Sequence, residues 1–437
     1  MAKSTIFALP EFKPYEARFI SRVAQLIQYR KFVDGTIYAD SQFRMMHKLY
    51  AQTKSLFSFL ARAVDLDIAL VPGVMGPWEL NEDTPQAILD AQAQLYEWSE
   101  WPIVSDEWLE DGTTLGEAYL KIVPSIGMVQ LQRLKPEVCM LVEHFDPTEQ
   151  ETVDMALIVD RNCCDNAGEQ YEYAEAITPT QIRTYMNGEP HGYNGNPDRY
   201  PNPLGFVPVV ETHNDSECRP TFSKVLAQIT SLNEFASYLG EVVGRAIDAQ
   251  WAISGAEQSD LTKGGGNVWF LPSGAAVEAV TAQIDMPGAL SFIQEIKMET
   301  KANLPELAFD DLRAKAQIAT ETLEVQLVEL DAKIWKMRRR YDAGLLRAHQ
   351  MAALAANLSG VQGLGPLLLP HAMDYKRPVR PISRLEQIQI EQAELGLEMS
   401  QRMASGDGMT GLQTNARNNI DAAQGDNQPQ KAEVQDE

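Results

Sequence analysis

The longest helical pattern in the chain runs from Ala319 to about Asn357 and restricts the possible folds most strongly. Apolar residues recur along it at intervals of three and four, namely Leu323, Leu327, Leu330, Ile334, Met337, Tyr341 and Leu345. This spacing predicts a helix with one apolar stripe. At 1.5 Å per residue the helix would be roughly 55 to 60 Å long, more than the width of an ordinary domain. We therefore expect it to bridge regions or to pack against copies of itself, because a single subunit should not bury the whole stripe.

Size and charge exclude some functions. The 437 residues are enough for two or three domains, and 44% hydrophobic with 22% charged residues is typical of a globular protein. The formal charge of -24 argues against a protein that binds nucleic acid over its whole surface, because phosphate neutralisation needs an excess of Lys and Arg. Any contact with DNA should therefore be local.

Metal and cofactor sites are not indicated by the sequence. The four cysteines, Cys139, Cys163, Cys164 and Cys218, lack the spacing of a zinc site or a disulfide framework, which favours free thiols and synthesis in a reducing cytoplasm. Six histidines are scattered without ligand spacing: His47, His144, His191, His213, His349 and His371. We expect no metal and no cofactor.

Catalytic signatures are also missing from the sequence. The glycine run Gly264 to Gly266 follows Lys263, which is the wrong order for a phosphate-binding loop. Asp310 and Asp311 could form a carboxylate pair, but an acidic loop in contact with solvent or a neighbouring subunit is the simpler interpretation. We predict that the chain is not an enzyme.

Membrane insertion is not expected. The N-terminus has no apolar signal segment. Residues 348–373 have no charged side chain, but they include Gln350, Asn357, Gln362, Pro366 and Pro370. Such a segment in lipid would leave polar groups without partners.

The first half of the chain changes from helical to β patterns. Periodicity predicts helices over 14–33, 42–64 and 84–98. Alternating segments then predict a hairpin of strands 113–123 and 128–134, followed by an antiparallel sheet with strands at 138–142, 155–159, 171–177 and 183–185. A loop over 187–208 should end in a short strand at 204–210, so that the two ranges overlap.

The second half returns to helices. We predict helices over 223–250 and 287–304, separated by a small insert with strands at 267–271 and 276–280. Pro305 should end the second of these helices before the long helix begins. Ser383 with Glu386 forms a capping box for a helix over 383–403, and the tail from Ala404 is too poor in apolar residues to fold alone.

The order of these elements resembles the portal proteins of tailed bacteriophages. The most telling segments are DGTTLGEAYLKIV at 111–123, LGFVPVVETHND at 204–215 and GNVWFLPSGAAVEAV at 266–280. The resemblance extends over residues 15–403. It implies an α+β, mainly helical fold with wing, stem, clip and crown regions, a long bridging helix, and an antiparallel sheet in the wing.

The resemblance also implies boundaries for these regions. The wing would cover 1–222 and return, with the long helix, over 319–380. The stem helices would cover 223–252 and 287–304, with the clip between them at 253–286. The tunnel loop would cover 305–318 and the crown helix 381–403, and residues 404–437 would form a disordered tail.

The implied function is that of a ring, usually of twelve subunits, at one vertex of the virion capsid. Double-stranded DNA would enter and leave through its channel. The implied partners are the terminase large subunit, a head-tail adaptor, and the major capsid and scaffolding proteins, with synthesis in the host cytoplasm. The alternative is a helical scaffold or adaptor without a channel that uses the long helix as a coiled-coil arm.

Candidate site residues follow from these assignments. Four basic residues fall in the second stem helix and the tunnel loop and are candidates for DNA contact: Lys297, Lys301, Arg313 and Lys315. They could instead pair with nearby acids, namely Glu295, Glu299, Glu306 or Asp310. Trp269 and Phe270 are candidates for the clip interface, although they could equally fill the core of the clip. The basic run 336–340 favours a salt-bridge surface over DNA contact.

Overall fold

The computed structural model describes residues 5–40, 59–73, 78–81, 83–146, 150–164, 168–193, 195–247, 250–254, 262–263, 269–270, 276–280, 286–307 and 320–374. All of them belong to one compact unit, Met1–Pro378. The predicted crown helix and the tail lie outside the described residues.

Seven helices are described, which are α1 Glu16–Val33, α2 Phe59–Leu70, α3 Gln86–Trp98, α4 Trp101–Leu115, α5 Leu226–Ile247, α6 Met286–Asn303 and α7 Thr320–Ser359. The predictions for α1, α3, α6 and the 40-residue α7 are confirmed to within a few residues. Residues 42–58 of the second predicted helix lie outside the description, and α2 continues six residues beyond the predicted end at 64. Helix α4 was not predicted.

The strands form two sheets and two short ribbons. They are β1 Glu117–Ser125, β2 Met128–Leu134, β3 Cys139–Asp146, β4 Gln150–Cys164, β5 Gln170–Ile177, β6 Gln181–Met186, β7 Glu189–Pro190, β8 Arg199–Pro201, β9 Val209–His213, β10 Gln250–Ser254, β11 Thr262–Lys263, β12 Trp269–Phe270 and β13 Ala276–Val280. One sheet has the order β2-β1-β9, and the other has the order β3-β4-β5-β6-β7 with β8 paired to β6. All described pairings are antiparallel.

The start of the first strand was predicted wrongly. Thr113 to Leu115 form the last turn of α4, and β1 begins only at Glu117. Gly116 separates the two elements with a left-handed φ of 94°, a conformation that glycine adopts without steric cost and that commonly ends a helix. The predicted hairpin of β1 and β2 is confirmed, and it turns at Ile126 and Gly127.

The strand predicted at 204–210 is also displaced, because β9 covers Val209–His213. The Asn202 side chain instead holds residues 202–206 in a turn before β9. Its amide donates to the Phe206 carbonyl at 2.8 Å, and its oxygen accepts from the Leu204 N–H at 3.0 Å. Pro208 has no N–H to offer a sheet. The predicted loop over 187–208 contains the short strands β7 and β8.

The first predicted stem helix is too long at both ends. Ser223–Val225 is a 3-10 turn, and the α-helix ends at Ile247 before strand β10 begins at Gln250. Residues 250–252 therefore belong to the β insert. Within the insert the strand at 276–280 is confirmed, whereas the strand predicted at 267–271 is reduced to Trp269–Phe270.

The expectation that a single subunit does not bury the apolar stripe of α7 is wrong for the described part of the stripe. From Leu330 onward its five residues are at most 3% exposed within a single subunit. They pack with α3, α4 and the β2-β1-β9 sheet in one large hydrophobic core. Gly344 permits this packing, because a Cβ at this position would overlap the Thr212 hydroxyl of β9. The described stripe therefore needs no second subunit, and the side chains of Leu323 and Leu327 lie outside the description.

The basic run 336–340 is predicted to form a salt-bridge surface. This prediction is wrong for Arg338, because its side chain is fully buried. Its guanidinium stacks 3.8 Å from the centre of the Trp78 ring. It donates to the carbonyl oxygens of Val71, Pro72 and Asp374 at 2.7 to 3.0 Å, and its Nε lies 2.6 Å from Asp342 Oδ1. Arg338 thus joins three chain segments in the core.

None of the described helices combines the length and the apolar character that are needed to cross a membrane.

Candidate functional site

Helices α5 and α6 form an antiparallel hairpin that contains the two described basic candidates. Phe235 and Phe292 meet edge to face with ring centres 4.9 Å apart, and Gln228 donates to Glu299 at 3.0 Å. The pairing of β10 with β13 continues the same antiparallel order beyond the helices. We call α5, α6 and the strands between them the stem hairpin.

Helix α6 is poorly covered by its own subunit. Of its 18 residues only Thr300 is buried. Leu290, Phe292 and Met298 are 48%, 47% and 66% exposed, although Phe292 contacts α5. Leu290 and Met298 lie roughly 80° apart around the helix, away from the side that contacts α5. Exposed apolar side chains of this size make the uncovered part of α6 a candidate interface.

Lys297 and Lys301 occupy one side of α6. At 100° per residue they lie within roughly 20° of Leu290 and nearly opposite Glu299, which faces α5. Both lysines are partly exposed and take part in interactions of their own, so neither is an isolated charge. The structure thus places two of the four predicted basic residues together, whereas Arg313 and Lys315 lie outside the described residues.

The first residues of the predicted tunnel loop are held inside the subunit. Pro305–Leu307 forms a 3-10 turn in which Glu306 and Leu307 are 2% and 1% exposed. Leu304 and Leu307 pack in a hydrophobic cluster with residues of α2 and the start of α5. Glu306, considered as a partner for the basic loop residues, pairs with Lys333 of α7 instead.

The two clip candidates lie in the shortest described ribbon. Trp269 pairs with Lys263 and Phe270 with Thr262 in antiparallel register. The side chains of this ribbon are outside the description. The choice between a docking surface and a small core therefore stays a prediction.

A polar cluster that the sequence did not reveal lies between α1, β1 and β9. The side chains of Glu117, Glu211 and His213 bring metal-ligating atoms within 4.8 Å of one another. Arg22 already pairs with Glu117 at 2.5 Å, and His213 Nε2 lies 2.9 Å from Glu211 Oε1. Cross-strand pairing of Glu117 with His213 creates the cluster, and no spacing along the sequence predicts this contact.

Protonation decides the character of this cluster. Burial lowers the pKa of His213, but hydrogen bonds with Cys218 and Glu211 outweigh burial and raise it to about 10. A protonated His213 and Arg22 then balance the charges of Glu117 and Glu211. A protonated imidazole has no lone pair for a metal, so the arrangement favours an ion-pair network that joins α1 to the sheet.

The sequence of residues 80–365 matches the family of phage portal proteins described as SPP1 Gp6-like. This match covers more than half of the chain. The chain belongs to this portal protein family. The matched range includes the β2-β1-β9 sheet, the stem hairpin and all of α7, and the family is structural rather than catalytic.

Two solved structures are similar to this portal protein over most of its length. One is the virion of a native gene transfer agent particle, with a TM-score of 0.35, 11% identity, and coverage of 80% of this chain and 86% of that chain. The other is the neck of an empty gene transfer agent particle computed with C6 symmetry, with a TM-score of 0.40, 13% identity, and coverage of 80% and 90%. No curated protein matches the chain in sequence.

Proposed function

We propose that the chain assembles into a ring of twelve subunits around a channel for double-stranded DNA. Membership of the portal protein family supports this proposal. The observation that carries it is α6, whose lysines lie on one side while the large apolar side chain of Met298 is exposed roughly 80° away around the helix. In a ring, one side of this helix would line the channel and the flanking side would meet a neighbouring subunit.

The proposed mechanism uses few basic groups. Each lysine would be present in every subunit of the ring, so two residues per chain give many contacts with DNA phosphates. Such contacts do not depend on the DNA sequence. The formal charge of -24 keeps most of the surface unattractive to DNA. A duplex would thus be guided through the channel without being held tightly.

The rest of the assembly follows from the same proposal. The ring would sit at one vertex of the virion capsid, in contact with major capsid and scaffolding proteins after synthesis in the host cytoplasm. The strands between α5 and α6 would form the clip, to which the terminase large subunit and later a head-tail adaptor bind. Arg313 and Lys315 would supply further DNA contacts.

Loss of the two α6 lysines should weaken DNA contact without loss of the ring. We expect rings of the double variant Lys297→Ala and Lys301→Ala to bind duplex DNA more weakly, with the slope of log affinity against log salt reduced by at least about one. Capsids built with this variant should package or retain less DNA. Fluorescence anisotropy at several salt concentrations and DNA content per particle are the measurements.

The matched control is Lys13→Ala, because Lys13 is an exposed lysine outside the stem hairpin. Its rings should bind and package DNA like the wild type. Unchanged salt dependence and normal DNA content in the double variant would show that α6 does not line the channel.

Replacement of both clip candidates should separate docking from assembly. We expect the double variant Trp269→Ala and Phe270→Ala to form rings but to lose at least about tenfold in affinity for the terminase large subunit, since aromatic anchors dominate many interfaces. Pull-down and titration with purified rings would measure this. Undiminished binding by intact variant rings would assign the two residues to the core of the clip.

A further inference from the structure

Three ionisable side chains meet where α6 ends, at a point that the proposed DNA contact does not involve. Asp67 of α2 is 0% exposed, and Glu306 of the Pro305–Leu307 turn is 2% exposed. Lys333 of α7 lies 3.4 Å from Asp67 Oδ2 and also pairs with Glu306. The three groups therefore link α2, the turn and α7.

The cluster has one acid more than it has bases. With both carboxylates ionised, a single ammonium would leave one negative charge in the interior, which is strongly unfavourable. Thr221 and Tyr341 also face Asp67, and their hydroxyls are uncharged. Glu306 Oε2 is buried and, in the part of the chain that is described, accepts no hydrogen bond. A proton shared by the two carboxyl groups would remove the excess charge and give Glu306 a partner.

We propose that Asp67, Glu306 and Lys333 form a proton-dependent latch, which holds the turn at the end of α6 against α2 and α7 and releases it when the shared proton is lost. The geometry favours release at this turn because Pro305–Leu307 is short and is the element that supplies Glu306. Helices α2 and α7 have extensive further packing in the cores. The latch does not depend on whether α6 lines a DNA channel.

The direction of the pH dependence follows from the protonation of Asp67. Burial, together with the nearby Glu306, raises its pKa to about 8 although Lys333 acts in the opposite direction. In an open turn, with Asp67 in water, the pKa would be about 3.9. The closed form thus keeps its proton to a higher pH than the open form. Closing is fully favoured at low pH and weakens as the pH rises from about 4 to about 8.

Hydrogen–deuterium exchange of the full-length chain tests the latch through the backbone amides of residues 301–304, 306 and 307. The protection factors, corrected for the intrinsic rate at each pH, give the opening constant at pH 5, 6 and 7. We expect this constant to rise about tenfold per pH unit in the wild type, since one proton is released on opening. In Asp67→Asn it should change less than about twofold.

Two further variants make the test decisive. Asp65→Asn alters an exposed acid on the same helix and should keep the wild-type slope. Glu306→Gln leaves a neutral pair of Asp67 and Lys333, so the pH dependence of its opening constant should disappear. This variant tests the latch even if Asp67→Asn does not fold. Equal slopes in the wild type and Glu306→Gln, or a wild type without pH dependence, would overturn the latch.

Discussion

Replacing Arg338 with methionine should destabilise the subunit by about 3 to 5 kcal/mol, the usual cost of removing one partner of a buried ion pair. Asp342 would keep a partly buried carboxylate without its cation. Burial raises the pKa of this carboxyl to about 6 even with Arg338 opposing the shift, so its environment tolerates charge poorly. Three backbone carbonyls would also lose their donor. Urea unfolding followed by tryptophan fluorescence would measure the loss.

Arg339 provides the matched control for this experiment. It is the next residue in the same helix, but its side chain is exposed. Arg339→Met should change the free energy of unfolding by no more than about 0.5 kcal/mol. Equal unfolding midpoints for the two variants would contradict the structural role of Arg338.

Introducing a charge at Met298 should prevent ring assembly. The side chain is 66% exposed in the subunit, so Met298→Glu should fold normally. A neighbouring subunit that covers this position would bury an unpaired carboxylate at a cost of several kcal/mol, and each 1.4 kcal/mol is a factor of ten. We expect the fraction of subunits in rings to fall by at least about tenfold at a fixed concentration, measured by mass photometry.

Ile126→Glu is the control for added charge at an exposed apolar residue. Ile126 lies at the tip of the β1–β2 hairpin, outside the stem hairpin, and is fully exposed. Its rings should form as in the wild type. Normal rings from Met298→Glu would exclude this flank of α6 from the subunit interface.

The sequence was sufficient for elements with a strong local pattern. Helix α7 could be predicted because its apolar residues keep one spacing over many turns, and the β1–β2 hairpin because alternation surrounds a turn sequence. Helix α4 was missed although Trp101, Val104 and Trp108 show helical spacing and Gly116 gives an end signal. That signal was present but was attributed to the following strand.

Contacts between distant segments could not be predicted. Arg338 meets Trp78 from a position 260 residues away, and no local pattern distinguishes it from its exposed neighbour Arg339. The same holds for the latch, which joins Asp67 to Glu306 and Lys333. The burial of the α7 stripe within one subunit also depends on where α3, α4 and the sheet lie, which periodicity does not specify.

Electron microscopy of the purified full-length chain tests the central claim most directly. Negative-stain images with class averages would show the assembly and its symmetry. We predict closed rings with a central hole wide enough for duplex DNA, twelve subunits in each. A monodisperse monomer at every concentration, without rings, would contradict the proposed function.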